Sequence, residues 1–487
     1  MTQDPAQPRR FGSDIPARLD RLPWSPWHWR VVVALGITWV LDGLEVTIVG
    51  TLGARLTEKA GLSLSAVQVG SVASFYIAGA VIGALGFGWL TDKLGRKQLF
   101  MVTLSWYTLF TVLSAFSWNY FSFAAFRFLT GMGIGGEYAA INSAIDELIP
   151  AYRRGWTDLS INSSWWLGTM MGSALSLLLL DPRLVPAPLG WRLAFGLGAI
   201  IALAVLLLRR ELPESPRWLL THGRLVEAEA VVRNIEAQVQ RSVGRPLPDP
   251  SGTRVIIDPE RRVVLSEVIR TMLAKYPTRT ILCFSLMLTQ AFLYNAIFFT
   301  EALVLTRFFH VPSGAVGLYI FPFAIGNLLG PWVLGNLFDA VGRKAMISVT
   351  YILSGLLLVV TALLFVNGLL SAVTITIAWS VIFFFASAGA SSAYLTTSEV
   401  FPMEIRAMAI AVVYSAGTLA GGGLAPTLFG ALIQTGSPQR VFLGYLVGAG
   451  LMILGGLSEL VLGVNAERKS LEDIAVPLTA VEVQRAA

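Results

Sequence analysis

The residues whose types and spacing could do chemistry are carboxylates and one guanidinium set inside apolar sequence. Asp42 and Glu45 lie in the apolar stretch 31–53, and Arg127 and Glu137 lie in 120–146. Asp42 and Glu45 are three positions apart, so on a helix they share a face. At about 1.5 Å per residue they sit roughly 17 and 21 Å from the start of their stretch, and Arg127 about 10 Å from the start of its own. If neighbouring stretches run in opposite directions, Arg127 and Glu45 share a level. A lone charge at the middle of a bilayer costs roughly 2.5–3.5 kcal/mol, so such groups persist when they pair, line water or carry function. The chemistry open to them is to bind and release a proton while trading a partner of opposite charge. Pairing of Asp42 or Glu45 with Arg127 is expected, as part of a proton-coupling site or as a structural ion pair. Glu137 is either a proton relay or the structural partner of a polar neighbour. Other chemistries lack residues. The single Cys283 excludes an intrachain disulfide and a Cys-rich metal site. His28, His222 and His310 all fall outside the apolar stretches, so a buried Ser/His nucleophile has no base. We therefore expect no enzyme, no metal and no cofactor.

The elements that must position these groups follow from composition. The chain has 487 residues, 55% hydrophobic and 14% charged, with a mean hydropathy of +0.66. A soluble domain carries about 25% charged residues, so a large soluble protein is excluded. A bilayer core of about 30 Å needs roughly 20 apolar residues of helix. Twelve stretches meet this: 31–53, 66–90, 98–117, 120–146, 156–180, 190–208, 279–304, 314–338, 345–366, 369–397, 407–433 and 440–464. The expected fold class is an all-α membrane protein of two six-helix bundles, 31–208 and 279–464. Around them lie a cytoplasmic N-terminal segment 1–30, a central loop 209–278 and a cytoplasmic tail 465–487. In the loop, helical spacing predicts a helix over Leu225–Val243, and 255–265 reads as a short hairpin. The segment 1–30 is polar and Pro-rich, unlike a cleavable signal, and Trp24, Trp27 and Trp29 suit an interfacial anchor. With the N-terminus inside, the outer loops and edges carry Arg55, Lys59, Arg183, Arg192, Arg307 and Arg440. Arg127 lies within a span, and all other basic residues fall inside. This asymmetry predicts a multi-pass plasma-membrane protein with both termini cytoplasmic. It also assigns the formal charge of +6 to topology, not to nucleic acid. A monomer is expected.

An internal repeat divides the chain in two. At a shift of 247, Gly79, Gly83, Gly88, Leu90, Asp92, Gly95, Arg96 and Lys97 fall on Gly326, Gly330, Gly335, Leu337, Asp339, Gly342, Arg343 and Lys344. At a shift of 252, Glu147, Pro150 and Arg154 fall on Glu399, Pro402 and Arg406. Parallel duplicates imply two bundles facing each other across a central cavity. Asp42, Glu45 and Arg127 have no counterparts, so the ionisable cluster is expected in one half only. Gly131-Met-Gly133-Ile-Gly-Gly136 fits a dinucleotide fingerprint but has no strand before it, and close helix packing is the expected use. Gly79/Gly83, Gly326/Gly330 and Gly417/Gly421 share that four-residue spacing.

The loop 88–97 and its copy 335–344 resemble the conserved loop of the major facilitator superfamily. The resemblance implies salt bridges closing the inner side, made by this loop and the Glu-x-x-Pro-x-x-x-Arg element. It points to Asp92, Arg96, Lys97, Glu147, Arg154, Asp339, Arg343, Lys344, Glu399 and Arg406 as a cytoplasmic gate. Pro213-Glu-Ser-Pro-Arg217, Arg153-Arg154-Gly155, Gln290 and Asn295 are similar to the sugar porter family and its metabolite:proton symporter relatives. Departures fall on substrate contacts. Thr289 replaces a second Gln, Asn162 stands for a helix 5 Gln, Tyr394 replaces a Trp, and the ending at 465–474 is degraded. These weigh against a hexose. Asp42-Gly-Leu-Glu45 resembles the Asp-Gly-x-Asp element of aromatic-acid symporters. Candidate substrate ligands are Asn162, Gln290, Asn295 and Tyr394. Trp165 and Trp166 offer ring faces, with packing or lipid contact as the alternative for at least one of them. The expectation is a proton symporter of a small polar metabolite, sugar-like or an organic acid. A multidrug antiporter and a non-transporting solute sensor are the rivals.

Overall fold

The computed structural model describes residues 11–57, 59, 61–64, 66–179, 183–209, 214–250, 254–257, 265–298, 300–311, 317–423, 425–476, 478 and 483–484. The apolar stretches are helical. They form α1 (Pro26–Thr57), α2 (Ala66–Leu94), α3 (Arg96–Ala115), α4 (Tyr120–Leu148), α5 (Arg154–Ser163, then Trp165–Leu179) and α6 (Ala187–Arg209). The second half holds α7 (Pro277–Phe298, then Glu301–Phe309), α8 (Gly317–Ala340), α9 (Arg343–Val366), α10 (Ala372–Val400), α11 (Arg406–Gly417, a π turn, then Ala425–Gln434) and α12 (Pro438–Leu462). Among the described residues, six helices are long and apolar enough to cross a membrane by length and composition alone.

The breaks were not visible in hydropathy. In α5 the turn falls at Ser164, whose hydroxyl donates to the Gly36 carbonyl of α1 at 2.8 Å and to Ile161 O at 2.6 Å. In α11 the turn spans Thr418–Gly422, four residues of which are Gly, Thr or Ala.

The glycine repeats bring helices together. A Cβ on Gly79 or Gly83 of α2 would overlap the Phe128 or Met132 carbonyl of α4. Gly131 and Gly135 of α4 meet the Tyr76 and Ala80 carbonyls in return, so the apparent dinucleotide fingerprint is a packing face. Gly326 and Gly330 of α8 face α10 backbone in the same way, and Gly421 of α11 faces the Leu288 carbonyl of α7. Overpacking such a seam costs about 1–3 kcal/mol or more. Gly83→Ala and Gly330→Ala should therefore lower the melting temperature in detergent. Gly86→Ala, where an added Cβ meets nothing within 4 Å, should leave it level or slightly raised.

The polar segments fold onto one end. Helix Leu225–Val243 forms as its spacing predicts and buries Ala228, Val232, Ile235 and Val239 against Ile15, Leu19 and Trp218. Arg18 of the short helix Ile15–Asp20 bridges Glu229 at 2.7 Å and Glu236 at 2.6 Å, and Arg21 reaches Glu236 at 2.5 Å. Burial pushes the Glu236 carboxyl up, but the hydrogen bonds and charges of Arg18 and Arg21 outweigh it and hold its pKa below 4.5. Glu229 is lowered likewise by Arg18 and Arg233 against its own burial. A lowered folded pKa adds stability that is present above the unfolded value and lost as pH falls through the folded one. Amide protection of Ile15–Asp20, corrected for intrinsic exchange, should thus hold from neutral pH and fall only below about 4.5.

The expected hairpin at 255–265 is corrected. Arg254–Ile257 forms a strand, but it pairs antiparallel with Phe11–Ser13 on one side and with Val483–Gln484 on the other. Strand patterning specifies a pleated face and not a partner. Here both partners come from the chain ends. Residues 258–264 lie outside the described residues.

Candidate functional site

The buried charges of the first half assemble around α4. Arg127 forms an ion pair with Glu45 of α1, both side chains 2% exposed. Thr111 of α3 donates to the same Glu45 Oε1 at 3.2 Å. The Arg127 guanidinium lies 4.8 Å from the Tyr76 ring centroid of α2 and 5.7 Å from that of Phe195 of α6. The aromatic faces supply the buried cation with further electrostatic support. Of the two candidate partners, Glu45 holds Arg127. Asp42, equally buried, lies one turn earlier on α1. Between them, Gly43 lets α1 approach the Trp165 carbonyl of α5. Glu137, one-hundredth exposed, accepts a hydrogen bond from Thr103 of α3 at 3.3 Å, which makes Thr103 its polar neighbour.

The candidate substrate ligands spread over the interface of the two halves. Trp165 and Trp166 of α5 meet at 4.8 Å, and both contact Phe298 of α7, at 5.8 and 5.5 Å. Trp166 also touches Tyr294 at 5.9 Å and Phe323 of α8 at 5.4 Å. Phe383 of α10 closes the group against Phe323 and Tyr294. The Tyr294 hydroxyl donates to Asn327 Oδ1 at 2.8 Å. Tyr394 lies between Trp39 and Tyr414, at 6.5 and 6.3 Å. The amides are engaged locally. Asn162 donates to the carbonyl and carboxylate of Asp158, at 2.9 and 3.2 Å. Asn295 donates to Ala291 O at 2.7 Å, and Gln290 points at Met287 Sδ at 3.0 Å. Gln290 and Asn295 can serve a solute through their carbonyl oxygens.

Sequence reasoning missed Tyr294, Phe298, Phe323, Asn327 and Asp158. It did not single out two buried acids of the second half: Glu301 of α7 and Glu459 of α12 are 3% and 1% exposed. Both lie near the ends of their apolar stretches, where an acid reads as a rim residue. Counting every acid inside a stretch would have found them.

At the end that carries the described chain ends, the halves are latched. Arg343 of α9 grips Glu399 of α10 through two nitrogens, at 3.0 and 3.1 Å, and Asp339 of α8 at 2.7 Å. Asp339 in turn accepts from the backbone N–H groups of Gly155 and Trp156 in α5, at 3.1 and 2.8 Å. These donors are among the otherwise unpaired amides of a helix start, where a carboxylate is favoured. Arg154 approaches Glu399 at 3.8 Å and Asp20 at 3.3 Å, while Arg406 approaches Glu147 at 4.0 Å. Arg217 joins this cluster by binding Asp20 and the Glu147 carbonyl, each at 3.3 Å. The two halves are alike here in outline, one position out of register: the Lys97 amide at the start of α3 donates to Glu214, and the Arg343 amide at the start of α9 donates to Glu467, both at 3.4 Å. Gly95 and Gly342 hold the matching positive φ of 92° and 122°, which only glycine adopts without strain. Lys344 makes no ion pair among the described residues, though its charge acts on Glu459. The side chains of Asp92 and Arg96 lie outside the described residues.

Two helical halves, an aromatic interface at their centre, buried charges within the membrane span and an ionic latch at one end define a membrane transporter of the major facilitator fold. The chain belongs to the sugar (and other) transporter family, whose model matches residues 42–477. It is 24% identical to the niacin transporter NiaP of Acinetobacter baylyi over 95% of this chain and 100% of that protein. It is 33% identical to the 4-hydroxybenzoate transporter PcaK of Pseudomonas aeruginosa over 45% of this chain and 48% of that one. Its fold is similar to that of the proton:xylose symporter XylE bound to 6-bromo-6-deoxy-D-glucose. The TM-score is 0.75 at 18% identity, covering 92% of this chain and 98% of that structure. The chain is thus a transporter and not an enzyme.

Proposed function

We propose that the protein is a proton symporter of a small organic acid bearing a ring, working by alternating access. The observation that carries this reading is the buried Glu45–Arg127 pair. A proton reaching Glu45 cancels its charge and weakens its hold on Arg127. The freed guanidinium is then a ligand for a substrate carboxylate, or a trigger for the switch between conformations. Asp42 and Glu137 belong to the same proton path. The ring is accommodated by Trp165, Trp166 and their neighbours across the halves, while Asn162, Gln290, Asn295 and Tyr394 select polar substituents. The absence of the sugar porters' second Gln at Thr289, and relatives named for niacin and 4-hydroxybenzoate, favour an acid over a sugar.

On this reading 31–208 and 279–464 are the moving bundles, 209–278 the cytoplasmic loop, and 1–30 and 465–487 cytoplasmic ends. The latch residues close the cytoplasmic side in a monomer of the plasma membrane. The test is uptake by proteoliposomes offered sugars, ring-bearing acids and organic cations, with and without an imposed proton gradient. Gradient-driven accumulation of a ring-bearing acid supports the proposal. Expulsion of cations alone would replace it with an antiporter, and no flux of any solute would favour a sensor.

A further inference from the structure

Where α1 begins, it faces the last turns of helix Leu225–Val243. Between them lies a recess of about 460 Å3 lined by Pro26, Trp27, Arg30, Gln238, Arg241 and Ser242. Among the described residues the lining holds two guanidiniums and no carboxylate. The helix explains this asymmetry. Its buried stripe separates two flanks. One flank bears Glu229 and Glu236, already neutralised by Arg18 and Arg21. The other bears Gln238, Arg241 and Ser242, and no acid among the described residues pairs with them. Among the described residues Arg241 donates only to Ala237 O of its own helix, at 3.1 Å. Arg30 is exposed and takes part in no ion pair among the described residues.

The site also has a level. Arg30 lies beside Trp29, 48% exposed, and one turn before Val33, 59% exposed. On a membrane helix those outward apolar side chains face hydrocarbon, so Arg30 stands at its border. We propose that this recess binds the headgroup phosphate of an anionic phospholipid, with Arg30 and Arg241 as its cationic ligands. Guanidiniums pair with phosphate oxygens through parallel N–H donors. The acyl chains then run along the Val33 face of α1, and the Gln238 and Ser242 side chains meet the hydroxyls of a headgroup such as glycerol. The bound lipid ties the first membrane helix to the polar helix that packs beneath it. This site is separate from the transport pathway and does not depend on the substrate assigned above.

The test is thermal unfolding of the full chain in a neutral detergent, titrated with phosphatidylglycerol, phosphatidylcholine or inorganic phosphate. Phosphatidylglycerol should raise the melting temperature, and phosphatidylcholine should not. Near a membrane surface each Arg adds about 1 kcal/mol, so R30Q/R241Q should weaken the half-saturating concentration about 30-fold, and R30K/R241K should keep most of the response. An unchanged response in R30Q/R241Q would overturn the site. Equal stabilisation by inorganic phosphate would overturn the lipid as its ligand. Should the Gln variant fail to fold, native mass spectrometry of the wild type decides: retained phosphatidylglycerol over phosphatidylcholine supports the site, and no preference overturns it.

Discussion

Glu45→Gln should leave the protein able to exchange its substrate across a membrane but unable to accumulate it. Glutamine keeps the size of the side chain and can still accept from Thr111 and Arg127. It cannot change charge, so the proton gradient loses its grip on the conformational switch. A carboxylate entering with one proton is an electroneutral pair, so the pH gradient and not the membrane potential drives it, and each pH unit is worth about 1.4 kcal/mol, or roughly 10-fold accumulation. The wild type should approach that ratio for each unit of imposed pH gradient, and Glu45→Gln should stay near unity while equilibrium exchange continues. Asp42→Asn should also abolish accumulation. Arg127→Ala behaves differently: it leaves Glu45 buried without its cation, a loss of about 3–5 kcal/mol, so folded protein itself should fall. Full gradient-driven accumulation by both Glu45→Gln and Asp42→Asn would refute coupling through these groups.

Arg343→Ala should open the latch. Arg343 is 2% exposed and satisfies Glu399 and Asp339 together. Its removal takes a guanidinium partner from two buried carboxylates, and a broken buried pair costs about 3–5 kcal/mol. That loss falls on the conformation in which the latch end is closed, because Asp339 and Glu399 there also hold α5 through Gly155, Trp156 and Arg154. A shift of about 3 kcal/mol changes the ratio of two conformations by roughly 150-fold. Spin labels placed near the start of α5 and the end of α8 should report a short distance in the wild type and a long one in the variant. Asp339→Asn, which keeps a carbonyl oxygen for one α5 amide, should give a smaller shift in the same direction. An unchanged distance distribution in Arg343→Ala would mean that the latch does not set the conformational balance.

The parts legible in sequence are those that depend on local pattern. The twelve stretches, the Asp339–Lys344 repeat of 92–97 and the glycine seams follow from periodicity and identity. A pairing of Asp42 or Glu45 with Arg127 follows from depth counting, since an ion inside hydrocarbon must find a partner, and the structure selects Glu45. The aromatic group around Trp166 did not emerge in full, because Phe298, Phe323 and Phe383 look like any other apolar residues in a membrane span. Whether such a ring faces lipid or a partner helix depends on rotation about the helix axis, which hydropathy does not encode when every face is apolar. The same holds for the break at Ser164, which needs the carbonyl of Gly36 on another helix. Glu301 and Glu459 carried a signal, but end positions disguised it.

The pH of a lightly buffered suspension of proteoliposomes tests the central proposal most directly. When a transported ring-bearing acid is added outside, the account predicts external alkalinisation in step with substrate entry in the wild type, and none in Glu45→Gln. Substrate entry in the wild type with no accompanying pH change would contradict it.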